Sequence, residues 1–247
     1  MTIKTKLFLL TALFLMQQGC DRPRQLTAEK HASSSQCHAD LPTLFINEKE
    51  RYALQGNIDH LVIRYQVNQA SQWIDQCSCL VERISDADHI IASGHDFHQV
   101  RSIYHYDCRV GEASYHAATF YHAASGLLIH QMRCDQPGLL SARATLQGGK
   151  AIARTEIRTS NEAINAGVLF IPFEAEVATD GDSLIIRGEG ELILVMAIKT
   201  GNKPQKSVAE KWRDACIKYA PSENEHYDVI KVANALLSEC ESASLNP

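Results

Sequence analysis

After residue 20 the 247-residue sequence has no apolar run of membrane-spanning length. A helix-spanning membrane protein is therefore not expected. There is no excess of basic charge either: 24 Lys and Arg stand against 29 Asp and Glu, a formal −5. No basic stripe accumulates, so nucleic acid is not an expected partner. A second tight Cys or His pair at zinc spacing, beyond His95-x-x-His98, is missing, as is a Gly-x-Ser-x-Gly nucleophile elbow. Between residues 41 and 200 there is no sustained helical period, which argues against an α/β chain.

The first twenty residues stand apart. Lys4 and Lys6 precede a ten-residue apolar run, Leu7–Met16, which is too short to span a bilayer and fits a signal-peptide core. The run leads to Gly19-Cys20. A Gly before a Cys here resembles a bacterial lipoprotein cleavage site, with Cys20 as the lipidated residue. Residues 1–20 are thus expected to be a signal peptide. The protein is expected to be exported: periplasmic, outer-membrane-anchored or extracellular, and touching a membrane only through the lipid. Residues 21–40 are polar and Ser-rich and read as a flexible tether. The chain has eight cysteines, Cys20 included; export permits disulfides but does not give their pairing.

Residues 41–200 alternate as strands do. Leu41–Phe45 suggests an edge strand, Glu48–Arg51 a charged turn, and Leu61–Val67 and Ile74–Ile84 further strands. Ile103–Leu146 contains four strand-like runs separated at Gly111, Ser125-Gly126 and Pro137-Gly138. Turn residues at such regular spacing predict a four-strand meander. Neither face of Tyr115–His122 is purely apolar, so this strand is not expected to be deeply covered on both sides. Ala151–Thr159 and Gly167–Ala178 read as one strand each, and Glu191–Lys199 as the most buried strand. About ten to twelve strands without intervening helices mean a sandwich or barrel. Residues 201–247 turn helical. Ser207 and Glu210 have capping-box spacing, and Ser222 with Glu225 suggests a second cap. In antiparallel helices Cys216 and Cys240 would lie on the order of 20 Å apart, too far for a disulfide.

Two stretches carry a resemblance. One is Phe120–Ala124, then Leu127–His130, then Pro137–Ser141; the other runs from Gly167 through the Asp180-Gly181 turn to Leu192–Ala197 and Thr200. Together they resemble the N-terminal domain of glycoside hydrolase family 95, the α-L-fucosidases. The resemblance implies a mainly β fold: a large antiparallel β-sandwich (supersandwich) over residues 41–200, with a C-terminal helical hairpin. Residues 201–247 correspond to the family's helical linker. The family's acid and base residues lie in an (α/α)₆ barrel that this sequence does not contain, so no catalytic residue is carried over. The implied function is a carbohydrate-related binding or accessory module, with a glycan as ligand and a catalytic-domain chain as partner. Two alternatives stay open: part of a truncated or split α-L-fucosidase-type hydrolase, and a structural envelope lipoprotein.

Few residues suggest chemistry directly. His116, Phe120 and His122 share one strand face, where imidazoles and an aromatic ring could line a sugar groove; a solvated strand face is the competing reading. His95, His98, His105 and Cys108 are the nearest approach to a metal cluster. Without a second tight pair, no metal or other cofactor is expected. Cys77-x-Cys79 share a face if extended and are expected to stay separate. Glu174, Glu176, Glu189 and Glu191 fit half-exposed strands better than a glycosidase carboxylate pair.

Overall fold

The computed structural model describes residues 43–57, 59–84, 93–100, 103–160, 164–171, 175–188, 190–200, 206–222 and 227–243. The elements run β1 (Thr43–Phe45), β2 (Glu50–Gly56), β3 (His60–Gln69), β4 (Gln72–Arg83), β5 (Ser93–Val100), β6 (Ile103–Val110), β7 (Ala113–His122), β8 (Leu127–Cys134), β9 (Leu140–Leu146), β10 (Lys150–Ala153), β11 (Glu156–Ser160), β12 (Ile164–Ile171), β13 (Ala175–Asp180), β14 (Ser183–Gly188), β15 (Glu191–Thr200), α1 (Val208–Tyr219) and α2 (Val229–Ala243).

The strands form two antiparallel sheets. One has the order β1-β2-β3-β4-β9-β14-β13, the other β10-β11-β12-β15-β8-β7-β6-β5. This is the expected antiparallel sandwich. Its interior is built from alternate residues of both sheets, such as Tyr65 and Cys79 from the first and Tyr115, Met132 and Leu194 from the second. A second core lies on the outer face of the eight-stranded sheet. There Phe120, Ile129, Val195 and Ile171 meet Trp212, Val232 and Leu236 of the helices. The two cores explain the sequence of β8 and β15: a strand covered on both faces reads as a continuous apolar run rather than an alternating one. Each fully buried Leu, Ile or Val contributes roughly 1.5–3 kcal/mol.

The helices are held at defined points. Ser207 caps α1: its Oγ accepts from the Glu210 N–H at 3.2 Å, and the Glu210 carboxylate accepts from the Ser207 N–H at 2.7 Å. For α2 it is Asp228 whose Oδ1 accepts from the Lys231 N–H at 2.9 Å. The expected cap at Ser222 is replaced by Asp228, and Glu225 lies outside the described residues. Gly167 of β12 lets α1 approach closely, since a Cβ there would stand 2.9 Å from Val208 Cγ1.

Four expectations need correction. The fourth strand of the meander, β9, leaves the β6-β7-β8 sheet and pairs with β4 and β14 in the other; the Pro137-Gly138 turn changes sheet instead of closing a hairpin. Ala151–Thr159 is a hairpin, β10 and β11, rather than one strand. Gly167–Ala178 divides into β12 and β13, which lie in different sheets. The charged segment at Glu48–Arg51 already enters β2 at Glu50.

Candidate functional site

The three residues expected to face a sugar are split by the helices. His116 is exposed and paired with Asp107, its neighbour across β6 and β7. Phe120 is 0% exposed and belongs to the core beneath α1 and α2. It cannot stack on a sugar. The expectation of a strand not deeply covered on both sides holds at His116 and fails from Phe120 onward, where α2 packs on β7 and closes that end of the face. His122, at the end of the strand, reaches the edge of a cleft.

This cleft, of about 430 Å³, lies between the β7–β8 turn and α1. Its walls include His122, Ser125, Lys206, Lys211, Lys218 and Tyr219. The volume is in the range of small-molecule sites. The turn is shaped by Gly126 at φ +65°, whose N–H donates to the His122 carbonyl at 3.0 Å. That fold-back presents Ser125 to the cleft.

His122 is 4% exposed and makes polar contacts through both ring nitrogens. Nε2 meets Glu239 Oε2 of α2 at 3.0 Å, and Nδ1 meets Ser125 Oγ at 2.9 Å. The same Glu239 oxygen accepts from Tyr219 Oη at 2.7 Å. Hydrogen bonds from Tyr219 and then His122 hold the Glu239 carboxyl below the usual carboxylate range. An ionised carboxylate only accepts, so Nε2 donates to Glu239, while Nδ1 faces both the Ser125 hydroxyl and, at 3.3 Å, the Ser125 N–H. Hydroxyl, imidazole and carboxylate therefore stand in the order of a serine-hydrolase relay. The details differ from one. The imidazole turns Nδ1, not Nε2, to the hydroxyl, and Ser125 Oγ also lies 3.3 Å from the His122 carbonyl within its own turn. The group locks the turn to the end of α2.

The lysines are not equivalent. Lys206 pairs with Asp214 at 2.5 Å, and Lys218 lies 3.6 Å from Glu239. Lys211 is half-buried and donates to the Gly126 carbonyl at 3.2 Å; among the described residues it has no carboxylate partner. Burial pushes its ammonium down from the ordinary lysine value. Lys211 and Lys218 share one face of α1 by their seven-residue spacing. That spacing is visible in the sequence. Their meeting with the β7–β8 turn is not, because it depends on how the helices dock.

The remaining candidates do not assemble. Cys108 points into the sandwich, and burial raises its thiol to about 11; His105, three residues earlier on β6, takes the opposite face. The side chains of His95 and His98 lie outside the described residues, among which no group of three His, Cys, Asp or Glu could hold a metal. Cys77 and Cys79 both face the interior of the sandwich as free thiols. Glu176 is exposed, Glu191 accepts from Arg133 Nε at 3.1 Å, and Glu174 and Glu189 lie outside the described residues.

No family model matches the chain, and no curated protein sequence does. Among solved structures it is similar to a bacterial glucoamylase complexed with acarbose, at a TM-score of 0.42 and 10% identity over 79% of this chain and 35% of that one. It is also similar to a putative kojibiose phosphorylase from the human microbiome, at a TM-score of 0.36 and 8% identity over 80% of this chain and 38% of the other. The chain spans little more than a third of either protein.

Proposed function

We propose that this chain is an exported accessory module that binds carbohydrate in the cleft at the β7–β8 turn. Hydrolysis is left to a separate catalytic-domain chain. The supporting observation is the lining of the cleft. Sugars offer hydroxyls that both donate and accept, over rings with apolar faces. The cleft offers the Ser125 hydroxyl, the Tyr219 phenol and ring, and lysine ammonium groups around one cavity of about 430 Å³. A few placed polar groups beside an apolar wall are what such sites require. The finer assignment, a sandwich of the family 95 N-terminal kind, rests on the turn and strand residues that resemble it. Export and anchoring rest on Leu7–Met16 and Cys20.

The test uses residues 21–247 on a glycan array, with α-L-fucoside hydrolysis measured in parallel. Binding without turnover, weakened by Tyr219→Ala, is expected. Turnover by this chain alone would overturn the accessory role. The absence of both binding and turnover would leave a structural envelope protein.

A further inference from the structure

We infer that the group recognised in this cleft is a carboxylate, so that the ligand is an acidic saccharide carrying a uronic-acid residue. The inference rests on the carbohydrate reading above and deepens it.

It starts from charge pairing. Three lysines line the cleft. Two are matched, Lys206 by Asp214 and Lys218 by Glu239. Among the described residues Lys211 is matched only by a carbonyl dipole, that of Gly126. An ammonium taken partly out of water without a counter-ion is unfavourable, and a bound anion relieves it. The anion should carry a single charge. Asp214 in the lining and Glu239, bonded to its His122 and Lys218, oppose a second negative charge, so a phosphate dianion fits the balance less well than a carboxylate.

The neighbouring groups suit a sugar acid. Ser125 and Tyr219 border the same space; Tyr219 Oη donates to Glu239 and accepts from Lys218, and Ser125 Oγ meets His122 Nδ1, so each has a remaining lone pair with which to accept from a ring hydroxyl. The His122–Glu239 contact fixes the turn, so Ser125 is held in place before the ligand arrives. Lys211 itself is steadied by its bond to the turn it faces. The site is therefore preorganised by the turn and by α1, with Glu239 of α2 bonded to His122 and Tyr219 of its lining.

Calorimetry on residues 21–247 tests the inference with three probes: uronic-acid oligosaccharides, the same oligosaccharides after carboxyl reduction, and inorganic phosphate. A charge-assisted hydrogen bond predicts that carboxyl reduction weakens binding by about tenfold or more. Lys211→Met should do the same, while Lys150→Met, on exposed β10, should not. Added salt should weaken the acidic ligand and leave the reduced one unaffected. Equal binding of acidic and reduced sugars would overturn the carboxylate and leave the carbohydrate reading standing. Phosphate competing as well as the uronate would reduce the cleft to a general anion site and also overturn it. If no sugar of either kind binds, both readings fall. The reduced-ligand arm uses the unaltered protein, so the outcome does not depend on how Lys211→Met folds.

Discussion

His122 and Glu239, 117 residues apart in the chain, meet at 3.0 Å and fasten α2 to the end of β7. Tyr219 of α1 donates to the same carboxylate oxygen, so one acidic group ties both helices to the sheet. Because these bonds hold the Glu239 carboxyl below the usual range, their contribution is present above the ordinary carboxylate pKa. It is lost as pH falls through the lowered value. Hydrogen exchange across residues 229–243, taken relative to the intrinsic amide rate at each pH, should accelerate on acidification in the native protein. In Glu239→Gln it should be faster at neutral pH and less sensitive to acid.

His130 should dominate a second pH effect, in the sandwich interior. It is 0% exposed, its Nδ1 meets Thr119 Oγ1 at 2.8 Å, and its Nε2 has no hydrogen-bond partner among the described residues. Burial pushes its pKa down from 6.5 to about 4. Between these values the unfolded chain binds a proton that the folded chain refuses. Stability therefore falls as pH drops from 6.5 to about 4, by on the order of 3 kcal/mol. Urea unfolding measured across this range should show the slope, and His130→Gln should flatten it.

Gly167→Ala tests how closely α1 seats. The new methyl would meet Val208 Cγ1 at 2.9 Å, inside ordinary contact. A loss of about 1–3 kcal/mol is expected from overpacking. Adding Val208→Ala should recover part of it, giving a non-zero coupling in a double-mutant cycle read by thermal unfolding.

Phe120→Ala separates a packing role from a ligand role. The ring is wholly buried between sheet and helices, so truncation should cost about 3–5 kcal/mol of stability. Under conditions where the variant remains folded, its affinity for any sugar should match that of the native protein.

Cys20 tests the anchor. If Gly19-Cys20 is a lipoprotein processing site, Cys20→Ala should abolish incorporation of labelled fatty acid and shift the protein from the membrane fraction to the soluble one. An unchanged distribution would remove the anchor from the proposal.

What the sequence could show depended on the range of each interaction. The Ser207–Glu210 box was legible because both partners lie within one turn of helix. The sandwich was legible because alternation repeats in strand after strand. Pro137-Gly138 was misleading for a physical reason: turn residues encode a reversal of direction, not the sheet the chain enters next. Phe120 was misread because its face of β7 is covered by residues more than 80 positions later. The cleft was legible in one residue only. His122 stands on a strand that alternation exposes to view, whereas Lys211, Tyr219 and Glu239 become neighbours through docking of helices onto a finished sheet.

The placement of β15 has a consequence for the order of assembly. It is the last of the described strands in sequence, yet it lies in the middle of its sheet, between β12 and β8. Until residues 191–200 are available, β10-β11-β12 and β5-β6-β7-β8 are two fragments with open hydrogen-bonding edges, and the helices have no continuous floor to dock on. A chain synthesised from its N-terminus therefore carries an open β8 edge once residue 134 is made, and an open β12 edge as well once residue 171 is made, until β15 emerges. The final strand acts as a keystone, and the interval before it arrives is when the protein has most need of a chaperone.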